Sequence, residues 1–180
     1  MIPIGMSMAT STLVGQNIGA GKKTRAVEIV KKSSVATFAI LTLCGIFIFT
    51  FAKDIAAIFV PGEIETIASS ANFIKIIVFA FGLVGIQQVL SGALRGAGNT
   101  LAPMALAFVS SWILQFPLAY VLSRHMGMNG LWWSIPISNV LALLITLAYV
   151  ANGKWTETKL TREHELEKEV AEELIIEEGI

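Results

Sequence analysis

Charge is scarce in this sequence and unevenly placed. Charged residues make up 14% of the 180 residues, whereas soluble domains carry about 25%. Nine of the thirteen acidic residues lie in 157–178, so the first 150 residues hold nine basic and four acidic residues, a net charge of +5. The chain is 54% hydrophobic, with a mean hydropathy of +0.71. A soluble domain of this length needs far more polar surface, so the composition argues against a soluble enzyme and against a nucleic-acid binder.

Cysteine and histidine are also nearly absent. Cys44 is the only cysteine, and His125 and His164 are the only histidines. A single cysteine cannot form an internal disulfide, and two isolated histidines without cysteines or paired carboxylates do not make a metal site. The sequence therefore predicts no catalytic residues, no cofactor and no metal.

Long apolar runs are what the sequence has instead. Five stretches carry no charged residue: 1–21, 33–52, 76–94, 96–123 and 126–153. A membrane-spanning helix needs about 20 predominantly apolar residues, and barrel strands would alternate apolar and polar residues, which these stretches do not do. The first stretch is apolar only as far as Val14, which indicates the end of a helix with a short or missing beginning. The sequence predicts an all-α integral membrane protein, a polytopic bundle of about five transmembrane helices.

The loops between these helices predict the orientation. Lysine and arginine near span ends collect on the cytoplasmic side. Ten of the thirteen basic residues fall in the first loop, the third loop and the tail, and the second and fourth loops together hold two. The remaining one is Lys75, whose side chain is expected to extend toward the outer headgroups. We therefore predict a multi-pass protein of the cell membrane, with residues 1–150 as its transmembrane region and residues 151–180 as a charged, helical cytoplasmic tail.

Two loops have the pattern of short helices of their own. Residues 24–32 place apolar residues between basic ones, which is typical of an amphipathic helix under the cytoplasmic headgroups. Residues 52–65 carry Ile55, Ile58 and Phe59 at helical spacing before the turn signal Pro61-Gly62, which predicts a short helix at the interface.

A glycine pattern occurs twice. Residues 15–21 and 92–98 share the form G-x-x-x-G-A-G, each after an apolar helix, and neither fits the spacing of a phosphate-binding or dinucleotide-binding loop. Small residues at helix ends permit close packing and tight turns. A compatible functional interpretation is that they are hinges at the cytoplasmic mouth of a transporter. The candidates are Gly15, Gly19, Gly21, Gly92, Gly96 and Gly98.

Longer runs around these glycines resemble a known family. Residues 5–26, GMSMATSTLVGQNIGAGKKTRA, and residues 92–100, GALRGAGNT, are similar to multidrug and toxic compound extrusion (MATE) transporters. The family's pattern continues in the same order with Trp112, Phe116-Pro117, Tyr120, Gly127, Gly130 and Trp132. The resemblance covers about 150 residues and implies most of the second lobe of a two-lobe transporter, from helix eight to helix twelve. It also implies export of organic cations or drugs in exchange for Na⁺ or H⁺.

The chain departs from that family in one respect. The resemblance implies an acidic site in the missing first lobe and, in some members, an aspartate on the tenth helix, but no carboxylate lies within any predicted span here. Such groups normally couple transport to protons or Na⁺, so the chain is expected to be inactive alone. Its expected partners are the lipid bilayer, a missing N-terminal lobe or a second copy, and small organic substrates.

Polar residues inside the spans are the candidates for a substrate cavity. Unpaired polar groups in hydrocarbon are costly, so these residues should face the bundle interior or a water-filled cavity. For any one of them, a hydrogen bond between helices is the simpler alternative. The cavity candidates are Gln87, Gln88, Gln115 and Asn139.

Two other functions fit the same sequence. One is a non-transporting membrane fragment or accessory subunit that binds other membrane helices. The other is half of a lipid-linked oligosaccharide flippase, whose cavity is expected to be more basic.

Overall fold

The computed structural model describes residues 1–59 and 62–157, and within them every regular element is helical. There are seven α-helices. A π-helical stretch joins the sixth to the seventh, and a 3₁₀ turn follows the seventh. In chain order they are α1 Ile2–Gly19, α2 Lys23–Thr50, α3 Ala52–Phe59, α4 Ile64–Val78, α5 Phe81–Gly96, α6 Leu101–Phe108, the π-helical stretch Val109–Gln115, α7 Phe116–Ala151 and the 3₁₀ turn Lys154–Glu157. The predicted all-α fold class is confirmed.

Helix α2 corrects one prediction. The amphipathic segment 24–32 is not a separate helix, because α2 runs unbroken from Lys23 to Thr50. No proline or glycine interrupts the chain between Lys23 and Cys44, so the helix of the span simply continues into the basic segment. An ion pair one turn apart, Lys32 to Glu28 at 2.7 Å, lies on this extension.

Helix α3 is the short helix predicted after the second span. Ala52 and Ala56 on one face are buried against Ala71 of α4, while Ile58 and Phe59 stay exposed. Its position at a membrane interface stays a prediction. Pro61 of the predicted turn and the tail beyond residue 157 lie outside the described residues.

The third span is bent. Helices α4 and α5 meet at an angle of 45° across Phe79 and Ala80, where the amide of Ala80 bonds the carbonyl of Ile77, three residues back, at 3.0 Å. The sequence predicted one span here, containing the charge-free stretch 76–94. Because no proline marks the break, the bend had no signal in the sequence.

The last apolar region folds back on itself. Gly127 has φ 59° and ψ −136°, which no α-helix contains. A Cβ atom at Gly130 would overlap the backbone of Leu122, and residues eight apart meet in this way only if the chain reverses. A straight helix over Leu101–Ala151 would be about 75 Å long, more than twice the hydrocarbon thickness. This region therefore supplies two antiparallel spans.

The five predicted spans correspond to α1, α2, the bent pair α4 and α5, and the two arms on either side of Gly127. By length and apolarity alone, α2 and the Leu101–Ala151 region qualify as membrane-crossing helices, and the bent pair qualifies if taken as one span. Helix α1 is 18 residues long. The chain is a multi-pass membrane helix bundle, as predicted.

Helix contacts fix the relative directions of the spans. Ser7 of α1 contacts α5 at Gln88, and Gly15 contacts it further along at Gly96, so α1 and α5 run parallel. Gln87 bonds Thr146 and Asn99 bonds Tyr149, so the second arm of α7 runs parallel to α5 as well. The first loop, the third loop and the segment after Ala151 therefore lie at one end of the bundle.

The main core lies at that end of the bundle. It joins α1, α2, α5 and α7, and it includes Trp155, which is 3% exposed. The indole Nε1 of Trp155 donates to the carbonyl of Val150 at 3.0 Å. Trp155, the fifth residue of the predicted tail 151–180, is thus packed into the bundle.

Candidate functional site

A polar groove runs along the contact between α1 and α5. It has a volume of about 630 Å³. Hydroxyls from α1 face an amide and a guanidinium from α5, and two apolar residues complete the wall. The lining residues are Ile4, Ser7, Met8, Ser11, Thr12, Gln88 and Arg95.

Two hydrogen bonds tie the groove together. The hydroxyl of Ser7 donates to the backbone carbonyl of Gln88 at 2.7 Å, and Nη2 of Arg95 donates to the same hydroxyl oxygen at 3.0 Å. Arg95 is the only ionisable side chain in the lining, so the groove offers hydroxyls, one amide and one cation, but no carboxylate.

Three glycines of the repeated pattern bring these two helices together. A Cβ atom on Gly92 would overlap the carbonyl oxygen of Ser7, and one on Gly96 would overlap that of Ser11. A Cβ atom on Gly15 would lie 3.0 Å from the carbonyl oxygen of Gly96. Small residues at such positions let membrane helices approach closely, and here they hold Ser7 and Ser11 against α5.

The last glycine of each repeat ends its helix. Gly21 and Gly98 have φ values of 72° and 81°, a left-handed conformation that favours glycine. In both repeats the glycine amide bonds the carbonyl three residues back, and the next amide bonds the carbonyl five residues back, at 2.8–3.0 Å. This is the Schellman motif. The sequence repeat is therefore a structural repeat, while the role of these glycines as hinges stays a prediction.

Gly19 differs from the other five glycines of the repeats. A Cβ atom there would have no neighbour within 4 Å, and its φ is not positive. It is neither a packing residue nor a turn residue in this conformation.

The structure separates the four predicted cavity residues. Gln88 lines the polar groove, whereas the Nε2 of Gln87 bonds Oγ1 of Thr146 between α5 and α7 at 2.9 Å. Asn139 donates to the carbonyl of Ile135 in its own helix at 2.9 Å. Gln115 is half-buried at the end of the π-helical stretch. Only Gln88 is in the groove, and a cavity role for the four stays a prediction.

Of the seven lining residues the sequence predicted only Gln88 as a cavity residue, and the two that bond across the groove, Ser7 and Arg95, were not among the candidates. Arg95 was assigned only to a loop, and Ser7 was not considered. A signal for Ser7 was available, because Ser7 and Ser11 are four residues apart and therefore share a helix face. The partner of that face, Arg95 on α5, depends on tertiary packing.

The apolar spans, the chain reversal at Gly127 and the polar groove define the chain as part of a polytopic membrane protein. Comparison with known proteins then identifies its family. Residues 1–121 match the MatE family model, and the chain belongs to this family.

Several curated relatives are similar over most of the chain. The probable multidrug resistance protein NorM of Thermotoga maritima is 31% identical over 166 residues, which are 91% of this chain and 36% of that protein. The probable multidrug resistance protein YpnP of Bacillus subtilis is 28% identical over 155 residues, which are 86% of this chain and 35% of that protein. The chain thus spans about a third of the length of these relatives.

A solved structure has the same fold. It is an inward-facing conformation of a multidrug resistance MATE family transporter of the MOP superfamily, with a TM-score of 0.80 and 18% sequence identity. The match covers 87% of this chain and 37% of that one. The resemblance to the family and the all-α membrane-bundle fold are therefore confirmed.

Proposed function

We propose that this chain is the C-terminal lobe of a secondary active multidrug exporter, which exchanges organic cations or other drugs for Na⁺ or H⁺. The observation that carries the proposal is the polar groove between α1 and α5 in a chain of the MatE family. Hydroxyls and amides in an apolar bundle are costly unless they are paired or face water. A groove of this kind suits one wall of a substrate path.

A second lobe completes the path in this proposal. Alternating access in such transporters is largely the rocking of one lobe against another around a central site. One lobe encloses only one side of such a site, and the chain spans about a third of its relatives. The proposed partner is an N-terminal lobe, in the same chain or in another, and the substrates are small organic molecules.

Coupling to Na⁺ or H⁺ is assigned to the partner lobe. The four acidic residues of the first 150 are Glu28, Asp54, Glu63 and Glu65. All four lie at the ends of the bundle, in the basic extension of α2, in α3 and at the start of α4. Carboxylates within the membrane normally perform ion coupling, so the chain alone is inactive as an exporter.

The orientation follows from the basic residues. Ten of the thirteen lie in the first loop, the third loop and the segment beyond Ala151, and the ends of α1, α5 and α7 that precede these regions share one end of the bundle. By the positive-inside rule that end is cytoplasmic. The C-terminus is therefore cytoplasmic and the cell membrane is the location. This is a transporter and not an enzyme.

The test of this proposal begins with the DNA upstream of the codon for Met1. An in-frame extension that encodes about seven further spans would supply the N-terminal lobe. The continuous reading frame, expressed in cells that lack drug exporters, should lower ethidium accumulation, and the 180-residue chain should not. If the continuous frame gives membrane-inserted protein without any ethidium export, the proposed function is wrong.

A further inference from the structure

A second groove, distinct from the polar one, lies between α2 and α5. It has a volume of about 480 Å³ and is lined almost entirely by apolar side chains. Along α2 its lining residues recur every three or four positions, so they form one continuous face. These are Phe38, Thr42, Gly45, Ile46 and Phe49, and the opposite wall is formed by Val78, Phe79, Gly82 and Leu83.

The groove opens to the outside of the bundle. Ile46 is 59% exposed and Phe79 is 72% exposed, whereas Gly45 and Gly82 on the floor are buried. A Cβ atom on Gly82 would lie 2.6 Å from Oγ1 of Thr42, so α2 and α5 touch at the floor. The result is a slot between two helices that is open toward the outside of the bundle.

A single cation stands at the end of this slot. The Nζ of Lys75 lies 5.2 Å from the centroid of the Phe49 ring, and Phe49 is a lining residue. Within the described part of the chain the only ion pair joins Lys32 and Glu28, so Lys75 has no carboxylate partner there. Its favourable contact is with the face of an aromatic ring.

The depth of Lys75 matches a headgroup. The last charged residue at the other end of α2 is Lys32, and Phe49 follows 17 residues later, a rise of about 25 Å. The hydrocarbon core of a bilayer is about 30 Å thick. Phe49 and Lys75 therefore lie near the membrane boundary opposite the basic end of the bundle, with the slot running into the hydrocarbon below them.

We propose that this slot binds one acyl chain of an anionic phospholipid, and that Lys75 binds the phosphate of its headgroup. The apolar walls match the acyl chain and the unpaired ammonium matches the negative charge. The site is separate from the α1–α5 groove and does not depend on the proposed transport function.

The test is native mass spectrometry of the purified full chain in detergent, with phosphatidylglycerol and phosphatidylcholine that carry identical acyl chains. We expect the wild-type chain to retain the anionic lipid at least fivefold over the neutral one. Lys75→Gln should reduce that preference to less than twofold, and Lys75→Arg should keep it. The control Lys53→Gln removes an exposed lysine at the same end of the bundle, on α3, and should leave the preference unchanged.

A second pair of variants tests the slot itself. Ile46→Trp fills the slot and should lower retention of both lipids at least fivefold, while Leu43→Trp, at a similarly exposed position of α2 outside the lining, should not. Equal retention of the two lipids by the wild type, or a preference that survives in Lys75→Gln, would overturn the assignment of Lys75. If Ile46→Trp retains both lipids as Leu43→Trp does, the slot holds no acyl chain and the proposal is wrong.

Discussion

Gln87 and Thr146 join α5 to α7 through a hydrogen bond of 2.9 Å from Nε2 to Oγ1. Thr146 is fully buried and donates in turn to the carbonyl of Ala142 at 2.9 Å. Neighbouring residues of a helix point about 100° apart, so Gln88 lies on a different face and lines the polar groove. Two adjacent glutamines thus have different surroundings.

Gln87→Leu should destabilise the bundle. The substitution keeps a similar side-chain size and removes the bond between α5 and α7, which is worth about 0.6–2 kcal/mol in membrane proteins. The thermal unfolding of the chain in detergent measures the loss. Thr146→Val is the matched partner variant, and the double variant should cost no more than the larger single one. Additive losses would show that the bond does not account for the effect.

Gln88→Leu should leave thermal stability unchanged and alter transport. Its side chain lines the polar groove and makes no side-chain hydrogen bond within the described residues. In the complete transporter, the export assay should show a changed substrate affinity or substrate profile. If export is unaffected by this variant and by Gln87→Leu, and both keep full stability, α5 does not form the wall of the substrate path.

Gly96→Ala should destabilise the contact between α1 and α5. The added methyl group would overlap the carbonyl oxygen of Ser11, and overpacking of this kind costs about 1–3 kcal/mol. Gly19→Ala is the control, because a Cβ atom there meets nothing within 4 Å and alanine favours a helix by up to about 1 kcal/mol. Thermal unfolding should place the two variants on opposite sides of the wild type. The same melting temperature for both would contradict the assigned packing role.

A cysteine in the second loop should react only from outside the cell. We choose Glu63→Cys, because its neighbour Gly62 has a φ of 105° that favours glycine, and we place it in a Cys44→Ala background. Asn152→Cys, just past α7, is the opposite control and should react only from inside. Labelling of Glu63→Cys from the cytoplasmic side alone would reverse the orientation deduced from the basic residues.

The sequence was sufficient to predict the bundle, because hydrocarbon imposes long apolar helices whose length and number can be counted. The repeated glycine pattern also proved structural, since Gly21 and Gly98 end their helices with the same pair of hydrogen bonds. Both the apolar spans and the glycine turns are determined by residues that are close together in the sequence.

Features that depend on tertiary contacts were not predicted. Trp155 follows the last span, within the predicted charged tail 151–180, yet it is buried in the main core. The bend at Phe79 and Ala80 contains no proline, and α2 continues through a basic segment that resembled a separate helix. Among the cavity candidates, nothing in the sequence distinguished Gln88 from Gln87, because the facing helix decides which side chain is enclosed.

We propose that this chain is one lobe of an exporter and needs another lobe to work. The most direct measurement is ethidium export from proteoliposomes under an imposed Na⁺ or H⁺ gradient. The purified 180-residue chain is compared with empty liposomes and with the product of the continuous upstream reading frame. We expect the chain, folded as judged by its helical content and cooperative unfolding, to export no more than empty liposomes do, and the longer product to export ethidium. Ion-dependent export by the 180-residue chain alone would contradict the need for an N-terminal lobe and would point to a homodimer that couples transport without an intramembrane carboxylate.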